Sequence, residues 1–403
     1  MRPFTSTIPF ADARRLTLEA ARPIERTETL PLAHASGRVV ARDVVAATDV
    51  PPFDRALMDG YAVRAADTAG ATVAESRPVA LRARVFAGET GAQTIGPGEC
   101  VEIATGAPLP RGADAVVMVE RTSIEGNGVL VHAAVDPGGN IGTRGGDLRA
   151  GAVAVRAGDI LTPARLGALA AVGAVQVDVY ARPVVSLVST GDELAAPGQP
   201  LGPGQIHDVN RLTMAALVER HGGEAHVLAT ADDELGDITA VLDQALGADV
   251  VVFSGGSSVG NHDLVMDAIG ARGRVLYHGI AVRPGKPTAL AIVGGTPVFA
   301  MPGNPTSCLS NGYLLLVPFL RRTARLPAWE PRTVALPLAR AIRSAEDRHQ
   351  FYTVRIEDGR VEPAFKGSSA ITSMADADGY IEIAAGTAEL PAGTPVTVTR
   401  FDP

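Results

Sequence analysis

Val184-Val185-Ser186-Leu187-Val188 runs straight into Ser189-Thr190-Gly191-Asp192-Glu193, and the same change of texture recurs twice farther along. Residues 250–253, all apolar, run into Ser254-Gly255-Gly256-Ser257-Ser258-Val259-Gly260, and residues 297–300 run into Met301-Pro302-Gly303-Asn304-Pro305-Thr306-Ser307. Short apolar runs rich in β-branched residues read as strands buried on both faces. Between them lie helical spacings: residues 210–221, ended by Gly222-Gly223; Ile238, Val241, Leu242 and Ala245; residues 263–269; and residues 305–320. This alternation predicts a parallel sheet covered on both sides, with ligands outside the carboxyl ends of its strands. One end rich in Gly, Ser and Asp is an ordinary capped turn, but three at one rim point to a site.

Working outward, the chain changes texture on both sides of this stretch. An amphipathic helix begins it (Ala11, Leu16, Leu18, Ala21), followed by short β-like runs at 79–86, 99–104, 115–120 and 129–134 between Gly and Pro turns. Helical spacing returns at 161–172, opened by Thr162-Pro163 as cap and first helical residue. Beyond Pro327 the runs are strand-like again, and Glu357-Asp358-Gly359 predicts a hairpin turn.

Composition narrows the function classes. The 403 residues allow two to four domains, and 46% hydrophobic content supplies a sizeable core. The net charge of −8 repels nucleic acid and anionic membrane, so neither is expected as a partner, and an anionic ligand must meet a local basic pocket. Two cysteines, Cys100 and Cys308, make no disulfide framework and read as buried small hydrophobes. The start has no apolar signal core, and the most lipid-like stretch, 314–320, is broken by Pro318. A soluble cytoplasmic protein is therefore expected.

Arg283-Pro284-Gly285-Lys286-Pro287 concentrates two cations on a loop stiffened by proline, an anion-site candidate that by itself equally describes a solvated hairpin tip. The carboxylates Asp59, Asp147, Asp192, Glu193, Asp232, Asp233 and Asp263 offer hard oxygens that suit Mg2+ shared with substrate phosphates. Gly256-Ser257-Ser258-Val259-Gly260 also fits the G-x-S-x-G elbow of a serine hydrolase, with His262, His278 or His349 as base. A phosphate-cradling turn is the preferred reading. No Walker A, H-E-x-x-H or G-x-G-x-x-G pattern occurs, so ATPase, zincin and dinucleotide readings lack support.

Taken in order, these pieces resemble the molybdopterin molybdenumtransferases, the molybdenum insertases related to the C-terminal domain of gephyrin. The resemblance is carried by Pro51-Pro52-Phe53-Asp54 with Met58-Asp59-Gly60-Tyr61-Ala62-Val63, and by Ile103-Ala104-Thr105-Gly106-Ala107-Pro108-Leu109-Pro110. It continues through Asn140-Ile141-Gly142, Gly145-Gly146-Asp147, Ser189-Thr190-Gly191-Asp192-Glu193-Leu194, the 254–260 segment, the R-P-G-K loop and Pro302-Gly303-Asn304-Pro305. It implies an α/β multidomain fold. A helical segment (1–44 and 141–180) frames an inserted β-rich module (45–140). A three-layer α/β domain (181–326) resembling molybdopterin adenylyltransferase follows, and a small β-barrel (327–403) closes the chain.

The resemblance further implies a homodimer that converts adenylylated molybdopterin and molybdate to molybdenum cofactor and AMP with Mg2+, in company with a molybdopterin adenylyltransferase. Asp59, Asp192, Glu193 and Asp263 would be catalytic, with Asp59 and Thr105 facing the partner's α/β domain. Asp232, Asp263 and Glu193 would hold the metal. Thr105, Asp147, Ser254, Gly255, Gly256, Ser257, Pro302, Gly303 and Asn304 would bind substrate. Arg283, Lys286, Ser307, Arg348 and Ser368 would hold molybdate. A nucleotide enzyme of the adenylyltransferase type and a non-catalytic gephyrin-like scaffold are the alternatives. Four positions depart from the family pattern: Gly279 in place of a second lysine, Asn261-His262 in place of an acidic residue, Val209 in place of Ser, and Thr353 near a usual arginine. The last leaves Arg348 or Arg355 to serve the anion.

Overall fold

A computed structural model describes residues 7–90, 92–255 and 263–401 of the chain. The protein is a multidomain α/β structure that divides into two compact units, Met1–Arg26 with Tyr180–Pro403, and Thr27–Val179.

The first unit is built on a six-stranded sheet in the order Glu224–Val227, Val184–Ser189, Val250–Ser254, Thr296–Met301, Ala289–Val293, Gly273–His278. The first four strands are parallel. Ala289–Val293 pairs antiparallel with both of its neighbours, Thr296–Met301 and Gly273–His278, so the sheet is mixed rather than wholly parallel. The reason is local: Val293 pairs with Thr296 across Gly294-Gly295, whose φ values of 59° and 92° make a two-residue hairpin turn. The central strands are mostly apolar and buried because helices cover both faces, whereas the edge strands carry Glu224, His226 and Arg274. Val185, Leu187, Val250, Val252, Phe299 and Met301 pack with Phe10 and Ala13 of the first helix (Phe10–Ala20), with Met214 and Leu217, and with Leu314–Leu316. Their alternating neighbours Val188, Val251, Phe253, Val298 and Ala300 pack with Ile238, Leu242, Val265 and Ile269. Phe253, Phe299 and Phe319 are fully buried, each worth about 1.5–3 kcal/mol of transfer free energy.

The chain leaves Val184–Ser189 for the edge strand Glu224–Val227 and then returns to the other side at Val250–Ser254. The carboxyl ends of Val184–Ser189 and Val250–Ser254 therefore flank a topological switch point, where the crossovers leave a crevice. The helix expected at 305–320 runs farther and in three pieces: Pro305–Asn311, a π-helical turn Gly312–Leu316, and Val317–Thr323. The wider turn leaves room for Pro318, which has no N–H to donate.

The C-terminal strands form a second sheet, ordered Val282–Arg283, His349–Glu357, Gly379–Ile383, Pro395–Arg400, Thr333–Pro337, with Arg360–Pro363 also on His349–Glu357. The hairpin at Asp358-Gly359 is present, with φ of 48° and 71° at the two turn residues. Val282–Arg283 pairs in parallel with His349 and Gln350, so the basic loop is sewn into this sheet.

The second unit carries a six-stranded sheet ordered Ala115–Met118, Gly60–Val63, Glu99–Ile103, Arg77–Val85, Gly128–Val131, Thr122–Glu125. Two apolar clusters fill it, one around Tyr61, Cys100 and Val117 and one around Ala62, Val101 and Val116. Its helix Pro163–Ala171 is capped as expected, Thr162 Oγ1 accepting the Arg165 N–H at 3.3 Å. Both cysteines are free and buried, and burial pushes the Cys100 thiol up to about 12. Among the described residues no helix is long and apolar enough to cross a membrane.

Candidate functional site

A cleft of about 1050 Å³ opens at the carboxyl ends of the parallel strands of the first unit. It gathers Glu193, Ser254, Gly255, Arg283, Lys286, Pro302, Gly303, Asn304, Ser307, Arg348 and Ser368, segments scattered over 176 residues of sequence, from 193 to 368. Gly255 has φ of 96° and lies between Thr190 and Gly303; a Cβ there would run into the Thr190 carbonyl oxygen. Glycine is thus required where two loops approach backbone to backbone. Gly256, Ser257, Ser258 and His262 lie outside the described residues. Of the other bases considered for a serine nucleophile, His278 Nε2 lies 3.4 Å from Asp263 Oδ2, and His349 is paired with Glu382 at 2.8 Å.

The R-P-G-K loop is a built structure and not a solvated tip. Its Arg283–Pro284 bond is cis, and Pro284 and Gly285 are buried. The Gly285 carbonyl accepts from Asn311 Nδ2 at 3.0 Å and Thr288 Oγ1 at 2.9 Å, and the Lys286 carbonyl accepts the Ile280 N–H at 2.9 Å. Asn311 and Thr288 are both fully buried, so the loop is anchored from the core. With Gly285 at φ of 103°, a Cβ would collide with the Asn311 amide. The loop thus fixes Arg283 and Lys286 at one cleft of a protein whose net charge is −8.

The C-terminal part contributes Arg348 and Ser368. Arg348 is ion-paired with Asp347, which also feels the Lys286 charge. Arg355 pairs instead with Glu357 at 3.1 Å and does not line the cleft, so of the two candidates Arg348 is the one placed there. Ser368 is tied to the Pro-Gly-Asn-Pro turn: Asn304 Nδ2 donates to its Oγ at 3.3 Å, and its carbonyl accepts the Thr306 N–H at 3.0 Å.

Asp192, Glu193, Asp232 and Asp233 gather at the rim. Asp192 Oδ1 accepts the Asp233 N–H at 3.1 Å. Partial burial, then Asp192, Glu193 and Asp232, hold the Asp233 carboxyl above the usual carboxylate range. Asp263 is the cap of helix Leu264–Gly270, its Oδ1 accepting the Met266 N–H at 3.0 Å. Among the described residues no three His, Cys, Asp or Glu side chains converge as a ready metal cage. The like-charged rim suits a cation whose remaining ligands come from a substrate's phosphates.

In the second unit, Asp59 Oδ1 accepts from the Thr105 N–H at 2.7 Å and the Thr105 hydroxyl at 2.9 Å. The backbone bond first, then the hydroxyl, hold the exposed Asp59 carboxyl below the usual carboxylate range. It borders a hollow of about 290 Å³ with Tyr61, Phe86 and Glu102. Asp147 is exposed and does not line that hollow; its N–H donates to the Val50 carbonyl at 3.0 Å.

Several lining residues escaped sequence reasoning, above all Asp208 and Asn210, whereas Thr190 lies in the Ser189–Glu193 strand end already noted. Asp208-Val209-Asn210 stands just before an obvious helix and reads as a capping segment, which it partly is: Asp208 Oδ1 accepts the Arg211 N–H at 3.1 Å. That both side chains are buried in the cleft was not signalled.

Residues 8–173 match the family description "MoeA N-terminal region (domain I and II)", residues 186–322 "Probable molybdopterin binding domain", and residues 335–401 "MoeA C-terminal region (domain IV)". The chain is 37% identical over 392 residues to molybdopterin molybdenumtransferase 2 of Mycobacterium tuberculosis, covering 94% of this chain and 96% of that one. It is 32% identical over 387 residues to the molybdopterin molybdenumtransferase of Haemophilus influenzae, covering 94% of each. Its structure is similar to that of a molybdopterin biosynthesis moeA protein from Pyrococcus horikosii, with a TM-score of 0.84 at 37% identity over 99% of this chain and 100% of that one. Similarity of this extent, running through the motifs that build the cleft, means that the chain belongs to the molybdopterin molybdenumtransferase family.

Proposed function

We propose that the protein transfers molybdenum from molybdate to molybdopterin, which it receives in adenylylated form, releasing AMP. The observation that carries this reading is the convergence of a core-anchored basic loop and the Pro-Gly-Asn-Pro turn on one cleft of a family member. Molybdate is a tetrahedral dianion. Lys286, Arg283 and Arg348 supply the charge to hold it, and the Ser307 and Ser368 hydroxyls supply donors. The phosphates lie on the Gly255 and Gly303–Asn304 backbones, where no side chain stands in the way. Water cleaves the phosphoanhydride bond and AMP leaves; the two dithiolene sulfurs displace two molybdate oxygens, which take up protons from the thiols and solvent and leave as water.

In this reading Mg2+ would polarise the phosphoanhydride when bound, and Glu193, Asp232 and Asp263 are the carboxylates that would hold it. Homodimerisation, with Asp59 and Thr105 of one subunit serving the cleft of the other, belongs to the same proposal. So do a cytoplasmic location, a molybdopterin adenylyltransferase as supplier, and the four-part division at 45, 141, 181 and 327 with a C-terminal barrel.

Purified protein given adenylylated molybdopterin, Mg2+ and molybdate is expected to release AMP only when molybdate is present. Release without molybdate would instead mark a nucleotide hydrolase or adenylyltransferase. No pterin nucleotide binding at all would mark a scaffold.

A further inference from the structure

Thr190, Asp208 and Asn210 all line the cleft, and their residues are only 2%, 4% and 7% exposed. Each has one side-chain oxygen with no hydrogen-bond partner: Thr190 Oγ1, Asp208 Oδ2 and Asn210 Oδ1. Buried polar atoms are almost always paired, so three unpaired at one wall of one cleft indicate a partner that arrives from outside.

The orientation of these atoms is set by their other bonds. Asn210 Nδ2 donates to the Gly303 carbonyl at 2.8 Å, which leaves Oδ1 as the free end and fixes it as an acceptor. Asp208 Oδ1 is occupied by the Arg211 N–H, and Arg211 Nη2 is occupied by Thr230 Oγ1 at 2.7 Å. Asp208 Oδ2 lies 3.3 Å from Arg211 Nε without a hydrogen bond between them. Asp208 is thus ion-paired with Arg211 while Oδ2 carries no hydrogen bond. Two acceptors and one hydroxyl thus make a wall that asks for N–H donors, whereas Arg283, Lys286 and Arg348 in the same cleft ask for an anion.

A ligand that satisfies both has adjacent N–H donors at one end and negative charge at the other. The aminopyrimidinone edge of a pterin presents a ring N–H and an amino group side by side, the pattern a carboxylate accepts in pairs. Adenine does not fit: its amino group is flanked by a ring nitrogen lone pair that would face the carboxylate. We propose that Thr190, Asp208 and Asn210 form the subsite for the donor edge of the pterin, so that the pterin end of the substrate, and not its adenine, enters at the switch point. This rests on the molybdopterin reading given above and assigns which part of the cleft takes which part of the substrate.

Binding of three probes to the intact protein tests it: 6-hydroxymethylpterin, the matching 6-hydroxymethyllumazine (oxygen replacing the amino group) and AMP. The unmutated protein is expected to bind the pterin roughly tenfold or more tighter than the lumazine, because a site built for a donor rejects the analogue that lacks it. Asp208→Asn is expected to erase that preference and weaken pterin binding about ten- to a hundredfold while AMP binding stays within about twofold. Equal binding of pterin and lumazine by the unmutated protein overturns the subsite, and that comparison needs no variant to fold. Parallel loss of pterin and AMP in a folded Asp208→Asn protein overturns it as well. Pterin discrimination without molybdate-dependent AMP release would leave the subsite standing and sink the transferase reading; release without discrimination would do the reverse.

Discussion

Lys286 is one of two lysines among the 36 lysines and arginines of the chain, the other being Lys366. Arginine is planar and suits flat, bidentate partners, whereas an ammonium turns its three donors toward a compact tetrahedral oxyanion. Lys286 follows a glycine whose carbonyl is held by Asn311 and Thr288, so its position is set by the core and not by chance contacts at the rim. Lys286→Ala is therefore expected to cost about 1.5–3 kcal/mol of oxyanion binding, a ten- to hundredfold rise in the molybdate needed for half-maximal AMP release. Lys286→Arg should recover part of this, since charge is kept but geometry is not. An unchanged molybdate dependence in the alanine variant would remove Lys286 from the oxyanion site.

Among the elements, the helix Leu264–Gly270 joins fold and site through its cap, Asp263. Asparagine caps nearly as well as aspartate, whereas alanine loses about 1 kcal/mol. Asp263→Asn is thus expected to melt close to the parent while needing more Mg2+ for AMP release, and Asp263→Ala to lose both stability and metal use. A Mg2+ titration of Asp263→Asn that superimposes on the parent's would leave the residue with a capping role alone. The strands show where local reading is strong and where it is not. Arg77–Val85, Glu99–Ile103, Ala115–Met118 and Gly128–Val131 fall where their β-branched runs predict. The antiparallel edge of the main sheet was written as Gly294-Gly295 between two apolar runs, a hairpin signal hidden by the stronger βα pattern around it. The π turn at Gly312–Leu316 has no such signature, because it answers packing around Pro318 as much as propensity.

At the scale of the whole molecule, stability and assembly each make a prediction. His221 is 1% exposed and stands edge-on to Trp329 with ring centroids 4.6 Å apart. Burial first, then Arg321 and Arg220, push its imidazole from 6.5 down to about 4. The unfolded chain therefore takes up this proton first. The contribution is fully present above pH 6.5 and is lost as pH falls through the interval down to about 4. The loss is on the order of 3 kcal/mol. Replacing His221 with a non-titrating residue such as Phe should flatten the fall of Tm over that window; an unchanged slope would mean that other groups control acid stability. Assembly is tested by mixing. If one subunit's Asp59 serves the partner's cleft, exchanged mixtures of Asp59→Ala and Lys286→Ala proteins should regain activity, because one of the two clefts in a heterodimer is intact. Folded, inactive parents whose mixture gains nothing would exclude a shared site.

What the sequence determined by itself was whatever depends on neighbours in the chain. The strand runs, the Thr162-Pro163 helix start, the Asp358-Gly359 turn and the glycines at strand ends follow from periodicity and backbone sterics within a few residues. The ordered motifs placed the chain in its family and named most of the cleft, since Glu193, Ser254, Lys286, Asn304 and Ser368 each lie on a loop or strand end whose composition is visible locally. Tertiary structure decided which of these loops meet. It brought Arg348 to the cleft, left Arg355 on its hairpin, and buried Asp208 and Asn210, the latter bonded to Gly303, with acceptors lacking hydrogen bonds. The reason is that burial and pairing of a polar atom depend on segments close in space but distant along the chain: Asn210 meets Gly303 across 93 residues, a contact that no local pattern encodes.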